Sequence, residues 1–94
     1  MHFEWDAMKN LSNQAKHDID FETAQRVFAD PLHLTVPDQV FDLEMRWRTI
    51  GLVGGQSLVV VVHTDREDEQ GEPVLRITSA RKATKHERRD YENG

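Results

Sequence analysis

Leu58-Val59-Val60-Val61-Val62-His63 is the stretch on which the fold turns. Four consecutive valines favour extended backbone, because β-branched side chains pack well on a pleated surface. Leu58–Val62 is the longest apolar run in the chain, far short of the ~20 residues a membrane helix needs. Side chains alternate sides along a strand, so this one is apolar on both faces. Such a strand is central and covered on both sides.

Working outward, the C-terminal side begins with an acidic, hydrophilic loop from Asp65 to Glu72, which reaches Gly71 and Pro73. Val74–Ala80 (VLRITSA) then reads as a strand with Leu75 and Ile77 on one face and Arg76 and Thr78 on the other. Thr84-x-x-Glu87 is a capping box, and a last helix is expected from Lys85 to about Glu92. On the N-terminal side, Gly51 and the Gly54-Gly55 pair mark a turn. Met45–Ile50 (MRWRTI) precedes it as a strand, with Arg46 and Arg48 opposite Met45 and Trp47. Residues 39–43 read as a loop, and His33–Val36 as a strand stopped by Pro37.

Two short helices come earlier. Asp6 caps the first, which is expected to run to about Lys16 with Met8, Leu11 and Ala15 as its apolar stripe. Asp20 caps the second, which carries Ala24, Val27 and Phe28 on one face and ends before Pro31. Phe3-Glu4-Trp5 reads as a short opening strand. The order is β-α-α-β-β-β-β-α. It predicts a single α+β domain over residues 1–94: a small antiparallel sheet with the two N-terminal helices packed on one face. The other face of the central strand is left to the C-terminal helix, to a partner, or to both.

Composition narrows the function classes. The chain of 94 residues has no cysteine, which excludes disulfides, thiolate catalysis and cysteine zinc sites. Its five histidines are isolated, with no metal-ligand spacing, so neither a metal nor a cofactor is expected. The first residues lack the pattern of a signal peptide, which gives a cytoplasmic expectation with no membrane association. The net charge is −5, but unevenly spread. Residues 1–73 carry six Lys and Arg against fourteen Asp and Glu, whereas residues 74–94 carry six against three. Contact with nucleic acid would therefore be local rather than spread over a whole basic face.

Several segments resemble a known family in order. They are Asn13-Gln14-Ala15-Lys16-His17, then Phe21-Glu22-x-Ala24 and Val27-Phe28-x-Asp30-Pro31. Glu44-x-Arg46-Trp47-x-x-Ile50-Gly51 and LVVVVHT follow. Arg76-Ile77-x-Ser79-Ala80-Arg81-Lys82-Ala83-Thr84 with Glu87-Arg88 and Tyr91 completes the set. Together they are similar to the BrnT toxin family over nearly the whole chain. The resemblance implies a RelE-like fold and a ribonuclease toxin of a type II toxin–antitoxin system that inhibits translation. It also implies a ribbon-helix-helix, BrnA-like antitoxin as partner, with DNA bound only through the toxin–antitoxin complex. Two departures stand out: Asp18 follows the Lys16-His17 pair where the family usually has Gly, and the acidic loop is longer than usual.

Metal-free RNA cleavage needs a proton taken from the 2′-hydroxyl, charge stabilisation at the phosphate, and a proton given to the 5′-oxygen. Histidine suits proton transfer, and arginine suits the phosphate. The catalytic candidates are accordingly Arg46, His63, Arg76 and Arg81. For His63 the alternative is a strand-end histidine bonded to a loop. Arg48 reads as structural or peripheral. Lys16 and His17 suit a helix C-terminus electrostatically, and only the resemblance makes them RNA contacts. Lys82 joins them as an RNA-binding candidate beside Arg76 and Arg81, just upstream of the last helix. That helix offsets Lys85, Arg88 and Arg89 with Glu87, Asp90 and Glu92. Glu44 is read as a base or a holder of Arg46, and Tyr91 as a packing residue. The competing function is a non-catalytic module that docks an antitoxin-like partner and acts only as a co-repressor in that complex.

Overall fold

A computed structural model describes residues 1–41 and 43–94. The strands are β1 (His2–Glu4), β2 (Leu34–Phe41), β3 (Glu44–Val53), β4 (Ser57–Glu67) and β5 (Pro73–Lys82). The helices are α1 (Ala7–His17), α2 (Phe21–Ala24), a 3-10 helix (Gln25–Ala29) and α3 (Lys85–Asn93). The sheet order is β1-β5-β4-β3-β2, so LVVVVH is the central strand. Strands β2 to β5 are antiparallel, as expected, and β1 adds three residues parallel to β5. Among the described residues no helix is long and apolar enough to cross a membrane.

Both faces of β4 are covered, by different means. On one face α2 and the 3-10 helix bring Phe21, Ala24 and Val27 onto Val59, Val61, Leu75, Ile77 and Ala80. On the other, α3 lays Tyr91, with Ala83 just before the helix, over Ile50, Leu58 and Val60. The capping box forms as expected: Thr84 Oγ1 accepts from the Glu87 N–H while the Glu87 carboxylate accepts from the Thr84 N–H. Tyr91 packs in this second cluster, and its hydroxyl donates to Asp30 Oδ2 at 2.6 Å.

Four sequence expectations change. Gly51 does not turn the chain; it lies in β3, where an added Cβ would stand 2.7 Å from the Val27 carbonyl oxygen. The glycine lets the 3-10 helix press onto the sheet, and the turn is left to Gly54 and Gly55, both at positive φ. Pro37 does not stop β2, because β2 is an edge strand and its register shifts between Pro37 and Val40. That strand continues to Phe41, and Asp42 of the expected loop lies outside the described residues. Asp65 to Glu67 extend β4, pairing with Leu75 to Pro73, so the acidic loop is confined to residues 68–72.

The fourth change concerns α1. Its apolar stripe faces outward: Met8 is 73% exposed, Leu11 61%, and Ala15 is also exposed. Polar residues fasten the helix instead. Asn13 is buried, its Nδ2 donating to the carbonyls of Ile19 and Ala80 and its Oδ1 accepting from the Ala80 N–H. Asn10 Oδ1 accepts from the Phe21 N–H. The helix ends at Asp18, which takes the left-handed conformation at φ 59° and donates its N–H to Gln14 O. That is the backbone geometry for which Gly is best suited.

Candidate functional site

The strand period places five arginines on one face of the sheet. Arg48 lies opposite Val62, Thr64 opposite Arg76, and Val60 opposite Arg81. Directly opposed side chains share a face, and so do residues two apart. Arg46 and Arg48 of β3, Arg66 of β4, and Arg76 and Arg81 of β5 therefore lie on the face that α3 half covers. Val62 and Thr64 form its floor, beyond the end of the apolar cluster under α3.

Carboxylates gather Arg48 and Arg81 in one group and Arg66 and Arg76 in another. Glu87 is buried and receives five donors. Its Oε1 accepts from Arg81 Nη1 at 2.7 Å, from the Thr84 N–H at 3.0 Å and from Thr84 Oγ1 at 3.1 Å. Its Oε2 accepts from Arg81 Nη2 at 3.0 Å and Arg48 Nη1 at 2.5 Å. Arg48 Nε also stands 3.3 Å from Asp38 Oδ1. Arg81 foremost, with the Thr84 cap and Arg48, holds the Glu87 carboxyl down to about 2 despite its burial. Glu87 in turn raises the pKa of Arg81. In the second group Arg76 Nη1 donates to Glu4 Oε2 at 3.0 Å, and Arg66 pairs with the other oxygen of Glu4. Two cations share one carboxylate there, and both side chains are well exposed. This end of the face is the more available to an anion.

Glu87 is the residue that sequence reasoning missed. It does not offset the exposed cations of its own helix but points inward to arginines on β3 and β5. The capping box was the signal, since it turns the Glu87 side chain back toward the helix start and the adjoining strand end.

His63 lies on the opposite face. It is 1% exposed and pairs with Trp47, a residue out of phase with Arg46 and Arg48. Its Nδ1 is 2.6 Å from Asp65 Oδ1, its Nε2 2.7 Å from Thr49 Oγ1, and Thr49 Oγ1 is 2.8 Å from Thr35 Oγ1. The Phe28 ring stands edge-on at 5.2 Å. Burial lowers the imidazole pKa against the opposing pull of Asp65. The expectation that His63 joins Arg46, Arg76 and Arg81 therefore fails on geometry, because the sheet separates them.

Lys16 and His17 do come together. With Lys9, Ser12, Asn13, Thr78 and Ser79 they line a shallow groove between α1 and the edge of β5. Ser79 opposes Val62, so this groove borders the arginine face. Lys82 stands apart, beside Gln56, Ser57, Ala83 and Arg88 at the end of the sheet. Among the described residues no group of three His, Asp or Glu side chains is placed to hold a metal ion.

Comparison with known proteins bears on this arrangement. The fold is shared with the ribonuclease toxin BrnT of Brucella abortus, known from a crystal structure at 1.1 Å. The TM-score is 0.69 at 24% identity, covering 90% of this chain and 99% of that one. No curated protein sequence matches the chain. The family model described as "Ribonuclease toxin, BrnT, of type II toxin-antitoxin system" matches residues 5–87. With that match spanning most of its length, the chain belongs to the BrnT family of ribonuclease toxins of type II toxin–antitoxin systems.

Proposed function

We propose that this chain is an endoribonuclease that cleaves RNA by metal-independent transesterification, inhibits translation, and is neutralised by a cognate ribbon-helix-helix antitoxin. The observation that carries the reading is the arginine face: five guanidinium groups on adjacent strands of a chain whose net charge is −5. Arg46, Arg76 and Arg81 stabilise the scissile phosphate as the ribose 2′-oxygen forms its bond to phosphorus and the bond to the 5′-oxygen breaks. The 2′-hydroxyl loses its proton and the 5′-oxygen gains one, leaving a 2′,3′-cyclic phosphate and a 5′-hydroxyl. Lys16 and His17 hold an adjoining phosphate in the groove beside Ser79. Lys82 contributes long-range attraction from the sheet end. His63 serves the fold rather than the proton transfers, since its ring faces away from this surface. DNA is reached only through the antitoxin in the repressor complex, and the working site of the toxin is the cytoplasm.

The test is cleavage of a labelled RNA by the purified, antitoxin-free protein in EDTA. Cyclic-phosphate ends are expected, with at least ~100-fold slower cleavage by Arg76→Ala or Arg46→Ala in a folded protein. Cleavage that EDTA abolishes, or an unimpaired Arg46→Ala/Arg76→Ala double variant, refutes the assignment. Complete absence of cleavage alongside tight antitoxin binding establishes the non-catalytic co-repressor instead.

A further inference from the structure

Helix α1 is mounted the wrong way round for an ordinary amphipathic helix. Its asparagines face the body of the protein and bond backbone groups there: Asn13 through both its Nδ2 and its Oδ1, Asn10 through its Oδ1. Its large apolar side chains stand in solvent, Met8 at 73% and Leu11 at 61% exposure, and Ala15 continues the ridge. The helix is fixed in this pose at both ends: Asp6 Oδ1 accepts from the Met8 and Lys9 N–H groups, and Asp18 closes the C-terminus. Turning the ridge inward would break the Asn13 bonds to Ala80, so the exposure is built in. The helical period sets Lys9, Ser12 and Lys16 along one flank of the ridge, on the side of the groove they line with Thr78 and Ser79. Among the described residues neither lysine has an ion-pair partner.

We propose that the Met8–Leu11–Ala15 ridge docks an amphipathic helix of the antitoxin, whose apolar side chains cover the ridge and whose carboxylates reach Lys9 and Lys16. Charge complementarity selects this occupant. RNA would meet Lys9 and Lys16 but leave the apolar ridge wet. A second copy of the chain would set α1 against α1, bringing these lysines toward one another. A helix with an acidic flank satisfies both the ridge and the lysines, and the family is one of toxins that are paired with an antitoxin. The proposal rests on that pairing and not on the ribonuclease chemistry. The bound helix would lie over the Lys16 side of the groove, so antitoxin and RNA would compete there.

The experiment titrates the purified toxin with its cognate antitoxin by calorimetry. Leu11→Asp and Met8→Asp should each weaken binding at least ~30-fold, since each removes a large buried contact and buries a charge. The double charge reversal Lys9→Glu/Lys16→Glu should weaken it ~10-fold and flatten its salt dependence. Leu32→Asp, at an apolar residue equally exposed elsewhere, should bind as the unaltered protein does. Circular dichroism and urea unfolding of each variant verify the fold. Undiminished antitoxin binding by Leu11→Asp and Met8→Asp overturns the proposal. So does a loss confined to self-association, which would assign the ridge to a second copy, or a loss confined to RNA binding. These affinities read the same whether or not the chain cleaves RNA, which separates a failure here from a failure of the catalytic reading.

Discussion

Replacing Glu87 with Gln isolates the charge at the centre of the arginine face. Gln keeps the size and retains an oxygen that can accept the Thr84 N–H, so the helix cap survives. What goes is the anion between Arg81 and Arg48. The Glu87 carboxyl is held at about 2, against 4.5 for the unperturbed group. At about 1.4 kcal/mol per pH unit, this gap makes the ionised form about 3 kcal/mol better than the protonated form in the folded protein. Glu87→Gln resembles the protonated form, so it should cost about 3 kcal/mol at pH 7. The sign with pH follows from the lowered folded value. The stabilisation is complete above the unfolded pKa near 4.5 and is lost as pH falls toward 2. At pH 3 the same gap leaves only about 1.4 kcal/mol between the two proteins. Urea unfolding followed through Trp5 and Trp47 fluorescence at pH 7 and pH 3 measures both differences. A cost below ~1 kcal/mol at pH 7, or an equal cost at both pH values, refutes the account of Glu87 as a charge clamp.

Three further outcomes are expected. His63→Gln should lower stability by roughly 1–3 kcal/mol through the buried chain to Thr49 and Asp65, while the cleavage rate of the folded variant stays within a few-fold. Because burial lowers the folded pKa of His63, its contribution is intact above the unfolded value of 6.5 and fades as pH falls below it. A cleavage rate reduced ~100-fold without loss of stability would return His63 to the active site. Gly51→Ala should destabilise by at least ~2 kcal/mol, because the new methyl meets the Val27 backbone and not a side chain that can move aside. A thermal melt within 2 °C of the parent would contradict that (~0.5 kcal/mol). Asp18→Gly should raise stability by ~0.5–1 kcal/mol, since φ 59° favours glycine. A lower unfolding midpoint would instead mean that the Asp18 carboxylate contributes more than the backbone geometry costs.

Most of the fold was legible because local signals agreed with one another. Asp6, Asp20 and the Thr84–Glu87 box each start a helix where their chemistry says they should. The double-sided apolarity of LVVVVH placed it at the sheet centre. The misreadings share a cause: a local signal was overridden by a distant contact. Gly51 reads as a turn until the 3-10 helix is brought onto it. Pro37 reads as a stop until β2 is known to be an edge. Met8 and Leu11 read as core until Asn13 is seen to hold the Ala80 backbone. The candidate site was legible as an arginine set, since alternation alone separates Arg46 and Arg48 from Trp47. His63 needed one more number, the register of the β3–β4 hairpin. The Gly54-Gly55 turn pairs Val53 with Ser57 and so, six residues along each strand, Trp47 with His63. Centring the hairpin on those glycines would have put the histidine behind the sheet.

The carboxamide of Asn13 has a consequence for how this molecule meets others. Among the described residues no strand neighbours the outer margin of β5 beyond Arg76, since β1 covers only Val74 to Arg76. An open margin of this kind invites a foreign peptide to zip on through its backbone. Asn13 plugs it by imitating a strand residue, accepting and donating at Ala80 as a neighbouring backbone would. At the far margin the proline and register slip of β2 spoil the same invitation. With both margins blunted, recognition is pushed onto side chains, where sequence variation can tell one partner from another. In a cell holding many toxins of one fold, that is what would keep each toxin with its own antitoxin.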